Sequence, residues 1–247
     1  LLIASQFTGW VQTALWVLAL VVDYVGTALG GASGWRLPAP GHFSERHGLI
    51  VIVALGESIV AIGVGVAQLP ISWPIVIASG LGLVLASAMW WAYFDVSALL
   101  GEHALANEPA DTRPRLGRNA FSFAHYPLIV GIVLVALGLK KVLEYVGDTE
   151  HHTLTDPLKG VGLAALVGGV AVYLLAHVVF KWLTVHTWSY FRLATAGALL
   201  LAWPLVGTVP AMGQLAVVAV LLLACLVVES VVHKDERRRI RAELAHH

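Results

Sequence analysis

Long apolar runs separated by short polar breaks are the feature that most constrains this chain. A helix needs about 20 apolar residues to cross the roughly 30 Å hydrocarbon core of a bilayer. Runs of about that length occupy residues 5–29, 48–67, 74–100, 120–146, 158–181, 190–208 and 212–232. They are continuous and do not alternate with a period of two, so they favour transmembrane helices over barrel strands. We therefore predict an all-α, polytopic bundle of about seven transmembrane helices.

The composition agrees with a chain that is solvated by lipid. Hydrophobic residues make up 58% of the sequence and charged residues 12%, against about 25% charged in ordinary soluble domains. The net charge is zero, so we expect no nucleic-acid partner. The single cysteine, Cys225, lies in an apolar run, which excludes an intrachain disulfide and zinc sites built on paired cysteines. We predict no cofactor.

The placement of Lys and Arg predicts an orientation. With seven spans and the C-terminus inside, twelve of the fifteen Lys and Arg residues fall in inner segments, and Lys140, Lys141 and Lys159 fall outside. Because inner loops of membrane proteins are enriched in these residues, we predict the N-terminus outside and the C-terminus inside. The expected location is the bacterial cytoplasmic (inner) membrane, with multiple passes.

Two regions follow from this organisation. Residues 1–233 form the predicted bundle, and residues 234–247 form a basic cytoplasmic tail that is expected to attract anionic lipid. Membrane lipids in general are the expected partners, with protons or a small ion as further ones, and a homo-oligomer is left open. The chain begins with Leu1 rather than Met, so we expect N-terminal helices of the full protein to precede it.

Small residues recur along several of the apolar runs. Examples are Ala54, Ser58 and Ala61, spaced three or four apart, and the pair Gly168-Gly169. In lipid such residues let two helix backbones approach closely. We predict that these faces lie at helix–helix contacts.

Glu57 is the ionisable residue that we place deepest in the membrane. It lies nine residues after Gly48, which is about 14 Å of helix and near the midplane. A charge at that depth costs about 2.5–3.5 kcal/mol on insertion scales, and intramembrane acids are functional candidates by default. One interpretation is a proton or cation site with Ser58 beside it, or a catalytic carboxylate. The other is a protonated carboxyl that hydrogen-bonds a neighbouring helix.

Several further polar residues share one predicted depth near the inner ends of the helices. They could form a vestibule that leads to Glu57, or they could be interfacial residues that snorkel to water. We expect Arg46 to pair with a nearby carboxylate, because pairing makes buried charge tolerable. These candidate residues are Asp23, Glu45, Arg46, Asp95, His125 and His177.

The predicted outer ends carry a second set of charges. Lys140 and Glu144 are four residues apart and can pair along one helix face. The segment Glu150-His151-His152 with Asp156 could bind a metal, but its spacing matches no recognised site, and a solvated loop is the favoured interpretation.

Four sequence blocks resemble the bacterial low temperature requirement A family. The first block runs from His42 through Glu45-Arg46 to Gly56-Glu57-Ser58 and Val60, and joins a charged pair to an acid inside a helix. The others are Trp-Trp-Ala-Tyr-Phe-Asp ending at Asp95, His-Tyr-Pro-Leu at His125, and the stretch that ends in Lys140-Lys141-Val142-Leu143-Glu144. The match covers the chain in order.

The resemblance implies a membrane protein and carries no mechanism. The family is named for a cold-growth phenotype, so cold adaptation is part of what it implies. Its members are longer and share an N-terminal Glu-Leu-Phe-Phe-Asp-Leu-Val-Phe-Val helix that this sequence lacks.

Three functions remain as hypotheses. The leading one is a proton- or ion-linked transporter or channel with Glu57 as its titrating group, although a clear internal repeat is missing. The second is a non-catalytic lipid-binding or membrane-stress scaffold. The third is a membrane-embedded, lipid-active enzyme in which Glu45, Asp95, His125 and His177 hold a metal that activates water.

Overall fold

The computed structural model describes residues 2–32, 34–67, 69–232 and 234. Throughout these residues the regular secondary structure is helical and no β-strand occurs. The all-α prediction is therefore confirmed. Of the predicted basic tail, residues 235–247 lie outside the described residues.

Eleven α-helices can be numbered along the described chain. They are α1 (Gly9–Leu29), α2 (Pro40–Val66), α3 (Trp73–Phe94), α4 (Ser97–Asn107), α5 (Arg113–Leu116), α6 (His125–Gly147), α7 (Gly160–Leu163), α8 (Gly169–Val185), α9 (Tyr190–Leu201), α10 (Trp203–Val206) and α11 (Ala211–Val232). A 3-10 turn, Ala4–Gln6, precedes α1. The π-helical turns Gly117–Phe123 and Ala164–Gly168 follow α5 and α7.

Six helical segments among the described residues are long and apolar enough to cross a membrane. They are Gly9–Leu29, Pro40–Val66, Trp73–Asn107, Arg113–Gly147, Gly160–Val185 and Ala211–Val232. Each one overlaps a predicted span. The second begins at Pro40, before the predicted 48, since proline is favoured in the first turn of a helix.

The predicted span over 190–208 differs from the structure. It is divided into α9, with 12 residues, and α10, with 4 residues. Pro204 lacks a backbone N–H and its ring disfavours a continuous helix, which accounts for the interruption. At 1.5 Å per residue α9 is about 18 Å long, shorter than the hydrocarbon core. The count of seven spans and the orientation remain predictions.

Helix α6 is central to the packing. It contacts both α2 and α8, while α3 packs on α2 and α11. Glycine brings α6 and α8 together: a Cβ atom built on Gly131 would lie 2.7 Å from the backbone nitrogen of Tyr173, and one on Gly169 would lie 2.8 Å from that of Val135. Close backbone contact of this kind replaces bulky packing between membrane helices.

The small-residue faces agree with the structure in part. Ala54, Ser58 and Ala61 of α2 are buried against the bundle, as predicted. By contrast, a Cβ atom on Gly63 would meet no atom within 4 Å. At the α6–α8 contact, glycines such as Gly131 and Gly169 bring one helix backbone against the other.

Helix α1 lies at the edge of the described bundle. It has no buried residue, and its attachments are near its C-terminal end. There the Tyr24 hydroxyl donates to the Phe123 carbonyl, and Arg118 Nη1 donates to the Thr27 carbonyl at 3.3 Å. These bonds fix the end of α1 against the π-helical turn that leads into α6.

Candidate functional site

A buried tyrosine–histidine pair lies at the α3–α6 contact. The Tyr93 hydroxyl is 2.8 Å from His125 Nε2, and His125 Nδ1 is 3.0 Å from the Ala120 carbonyl. A carbonyl can only accept, so Nδ1 carries the proton and Nε2 accepts from Tyr93. Ala120 belongs to the π-helical turn Gly117–Phe123, and such turns are frequent at functional sites. Local helix geometry thus sets the histidine tautomer.

His177 of α8 lies in the same buried region. Its ring is 4.6 Å from that of Tyr173 and 6.0 Å from that of Tyr93, measured between centroids. The residue is 1% exposed, and neither ring nitrogen has a hydrogen-bond partner in the described part of the chain. Buried polar atoms are nearly always paired, and an exception requires an explanation. His125 and His177, both predicted as candidates, are therefore brought into one region around Tyr93.

His47 extends this region toward the start of α2. Its Nδ1 atom is 2.8 Å from the Phe43 carbonyl, and its ring centroid is 5.3 Å from that of His125. We call His47, Tyr93, His125 and His177 the histidine cluster. Sequence reasoning missed His47 and Tyr93 as members, although both lie inside the family-like blocks.

A buried ion pair lies beside the cluster. Arg192 of α9 and Glu229 of α11 meet at 2.9 Å, with side chains 9% and 14% exposed. Ser189 donates to Glu229 Oε1 at 2.9 Å, and Arg192 Nη1 donates to Ser97 Oγ at 3.1 Å. Ser97, which accepts from Arg192, lies four residues after Tyr93 of the cluster. Sequence reasoning placed Arg192 among the inner cations and did not single out Glu229. The sequence feature that could have indicated Glu229 is an acidic residue near the end of an apolar helix.

A cavity of ≈ 280 Å³ reaches Tyr93 from the surface. Glu45 of α2 and Glu102 of α4 are exposed at its rim, and Tyr93 and Phe121 form part of its lining. Of the residues predicted to form a vestibule, Glu45 lines this cavity, whereas Glu57 is not among its described lining residues. The cavity reaches the histidine cluster at Tyr93, and the vestibule leading to Glu57 remains a prediction.

Glu57 lies on the exposed face of α2, with Val53 and Val60. Ser58, the next residue, is fully buried, and within the described residues its hydroxyl has no hydrogen-bond partner. Glu57 therefore lies on the exposed face of the helix, and Ser58 on the adjoining buried face. The role predicted for Glu57 remains a prediction.

The remaining inner candidates are dispersed. Asp23 is exposed on α1, and Asp95 is half-buried beside Trp90 and Trp91. Glu45 lies 3.8 Å from His42. In the described part of the chain Arg46 has no carboxylate within 4.0 Å, so the expected pairing of Arg46 is not seen there.

The charges at the opposite end form local pairs. Glu144 lies 3.8 Å from Lys140 and 2.6 Å from Lys141, which confirms the predicted helix-face pairing. In the following loop, the hydrogen bond from His151 lowers the pKa of Asp148, and backbone donors add to the effect. The hydrogen bond from the Thr153 backbone lowers the pKa of Asp156.

Metal-dependent chemistry has no matching geometry in the described residues. They contain no group of three His, Cys, Asp or Glu side chains that could hold a metal ion. This holds for the loop histidines and for the set of Glu45, Asp95, His125 and His177 that the enzyme hypothesis requires.

Helices of membrane-spanning length and buried polar groups at one end of the bundle define a multi-pass α-helical membrane protein. The family described as "Bacterial low temperature requirement A protein (LtrA)" matches residues 1–227, and the chain belongs to this family. The resemblance that the sequence blocks suggested is thereby confirmed.

The chain is also similar to the uncharacterized protein RA0937 of Rhizobium meliloti (strain 1021). The two are 29% identical over 245 residues, covering 92% of this chain and 55% of the relative. The chain thus spans about half the length of this curated relative. No solved structure matches the chain.

Proposed function

We propose that the chain is part of a proton-linked transporter or channel, in which the histidine cluster carries the proton. The observation that supports this most is His177, a fully buried imidazole whose two nitrogens have no partner among the described residues. Histidine changes charge near neutral pH, and ionisable groups at membrane depth mark proton routes. An apolar ring at this position would avoid the free energy of an unpaired buried group.

The neighbouring groups provide a route from the surface to His177. The cavity with Glu45 and Glu102 at its rim reaches Tyr93, whose hydroxyl bonds His125. The ring of Tyr93 in turn lies 6.0 Å from that of His177, measured between centroids. A hydroxyl that donates to one imidazole and can accept from a second proton donor is a suitable relay group.

Proton flux into liposomes tests this proposal. The chain is reconstituted with a pH-sensitive dye inside the vesicles, a potassium gradient and valinomycin set the potential, and acidification is followed by stopped flow. We expect His177→Phe to reduce flux to the level of empty liposomes. We also expect it to increase the free energy of unfolding by about 1–3 kcal/mol, because the unpaired nitrogens are removed. His151→Phe, in an exposed loop, is the matched control.

The two readouts separate a functional histidine from a structural one. Unchanged flux in His177→Phe, with higher stability, would contradict the role of the cluster. Wild-type flux equal to that of empty liposomes would contradict transport and favour the scaffold hypothesis.

Glu57 is proposed as a second titrating group. It is a carboxylate on an exposed helix face among apolar side chains, where a charge in contact with lipid is unfavourable. In the same assay we expect Glu57→Gln to lower flux, while Glu150→Gln in the exposed loop leaves it unchanged. Equal flux in both variants would remove Glu57 from the route and leave the histidine cluster as the carrier.

A further inference from the structure

Within the described part of the chain, an apolar groove on the surface of the bundle ends at one buried cation. The groove has a volume of ≈ 590 Å³ and runs between the start of α6 and one face of α8, with Ala28 of α1 as a further wall. Val172, Ala176, Val179 and Leu183 line it along α8. From Val172 to Leu183 the helix rises about 16 Å, which is the depth of one bilayer leaflet.

Arg118 lies at one end of this groove and is the one charged residue among the described residues that line it. The residue is 9% exposed. Its Nε donates to Asn119 Oδ1 at 3.0 Å, and its Nη1 donates to the carbonyls of Thr27 and Ala28. These partners are uncharged, and within residues 2–32, 34–67, 69–232 and 234 no carboxylate lies within 4.0 Å of the guanidinium.

The guanidinium of Arg118 is held in place on part of its surface. Its Nε and Nη1 donate as described, and its central carbon lies 5.6 Å from the centroid of the Phe123 ring, whereas Nη2 donates no hydrogen bond to any described residue. A buried cation without a counter-charge is unfavourable, and an anion at Nη2 would relieve this. Guanidinium groups match phosphate oxygens in geometry and charge.

We propose that this groove binds an anionic phospholipid, with one acyl chain along α8 and the phosphate on Arg118. The apolar length fits a chain in one leaflet, and the cation lies where α6 and α8 reach the same end of the bundle, since Phe121 packs on Phe180. The bound lipid would also fill the space beside the C-terminal end of α1. The described residues that line this site lie outside the predicted basic tail in sequence, and the proposal does not depend on transport.

Native mass spectrometry of the purified chain tests the site. The chain is titrated in detergent with phosphatidylglycerol and, separately, with phosphatidylcholine of the same acyl chains. We expect tighter retention of phosphatidylglycerol, and Arg118→Gln is expected to weaken it about tenfold, the effect of one charge-assisted hydrogen bond. Arg115→Gln removes an exposed charge three residues earlier and is expected to change nothing.

A second variant keeps the test decisive if Arg118→Gln does not fold. Val179→Trp fills the groove and leaves the guanidinium intact, and it is expected to weaken retention of both lipids. Val228→Trp on α11, at a similarly exposed position, is the control. Retention in Val179→Trp equal to wild type would overturn the proposal. The proposal would also be overturned if glycerol phosphate displaced the bound lipid as effectively as phosphatidylglycerol does, because glycerol phosphate has no acyl chain.

Discussion

Arg192 and Glu229 join the short helix α9 to α11 through a buried ion pair. Two guanidinium nitrogens approach Glu229 Oε2, Nη2 at 2.9 Å and Nε at 3.0 Å. The remaining nitrogen, Nη1, donates to Ser97 at the start of α4. Three parts of the chain that are distant in sequence are therefore tied together at one end of the bundle.

We predict that breaking this pair on one side is more damaging than removing it. Glu229→Leu leaves Arg192 buried without its carboxylate and should lower the free energy of unfolding by about 3–5 kcal/mol. The double variant Arg192→Met with Glu229→Leu should recover a large part of that loss. Unfolding of the micelle-bound protein in sodium dodecyl sulfate, followed by circular dichroism, measures both.

The exposed pair of Lys140 and Glu144, near the C-terminal end of α6, is the control for the experiment on Arg192 and Glu229. Lys140 and Glu144 are 43% and 37% exposed, so Lys140→Met should change stability by less than about 1 kcal/mol. If the loss of stability in the double variant of Arg192 and Glu229 equalled the sum of the losses in its two single variants, these two side chains would not act as a pair.

A second prediction concerns the contact between α6 and α8. Gly131→Ala adds a methyl group 2.7 Å from the backbone nitrogen of Tyr173, so the helices must separate. We expect a loss of about 1–3 kcal/mol, the usual range for overpacking. Gly63→Ala meets open space on α2 and should be neutral or stabilising, because alanine favours the helix. Thermal unfolding of both variants measures the difference. Equal unfolding midpoints for Gly131→Ala and Gly63→Ala would contradict the close contact between α6 and α8.

A third prediction concerns the hydroxyl of Tyr93. Tyr93→Phe retains the ring but leaves His125 Nε2 without its donor, so we expect a loss of about 1–3 kcal/mol. Tyr190→Phe, at a residue that is 70% exposed, should lie within about 0.5 kcal/mol of wild type. If Tyr93→Phe were as stable as Tyr190→Phe, the hydrogen bond would not contribute to folding.

A fourth prediction concerns pH and the loop after α6. The pKa of Asp148 lies below its ordinary value of 3.8, chiefly because His151 hydrogen-bonds the carboxylate. A lowered pKa means that the loop contacts are fully present above pH 3.8 and are lost as the pH falls through the folded-state pKa. Carboxyl carbon NMR should show the Asp148 pKa rising toward 3.8 in His151→Ala. The neighbouring variant His152→Ala should leave the Asp148 pKa lowered. If instead His152→Ala raised this pKa and His151→Ala did not, the effect would come from His152 and the prediction would be wrong.

Part of the candidate site could be predicted from the chain. His125 and His177 were placed at one depth because helix rise converts sequence position into depth. Their joint neighbour Tyr93 and the ring of His47 could not be predicted, since depth does not determine which way a side chain faces around the helix axis. The same limit applies to Glu57, whose depth could be calculated but whose exposed face of α2 is a property of the bundle.

Hydrophobic run length by itself determined that the chain is helical and long enough to span a membrane repeatedly, because backbone groups in lipid must be satisfied within each segment. It did not determine the break between α9 and α10, for which Pro204 accounts locally, or that Arg192 reaches Glu229 across 37 residues. The contact between Arg192 and Glu229 depends on how helices pack, and packing is set by side-chain shape at contacts between distant segments. The tertiary structure therefore decided which buried polar groups meet and which remain without a partner.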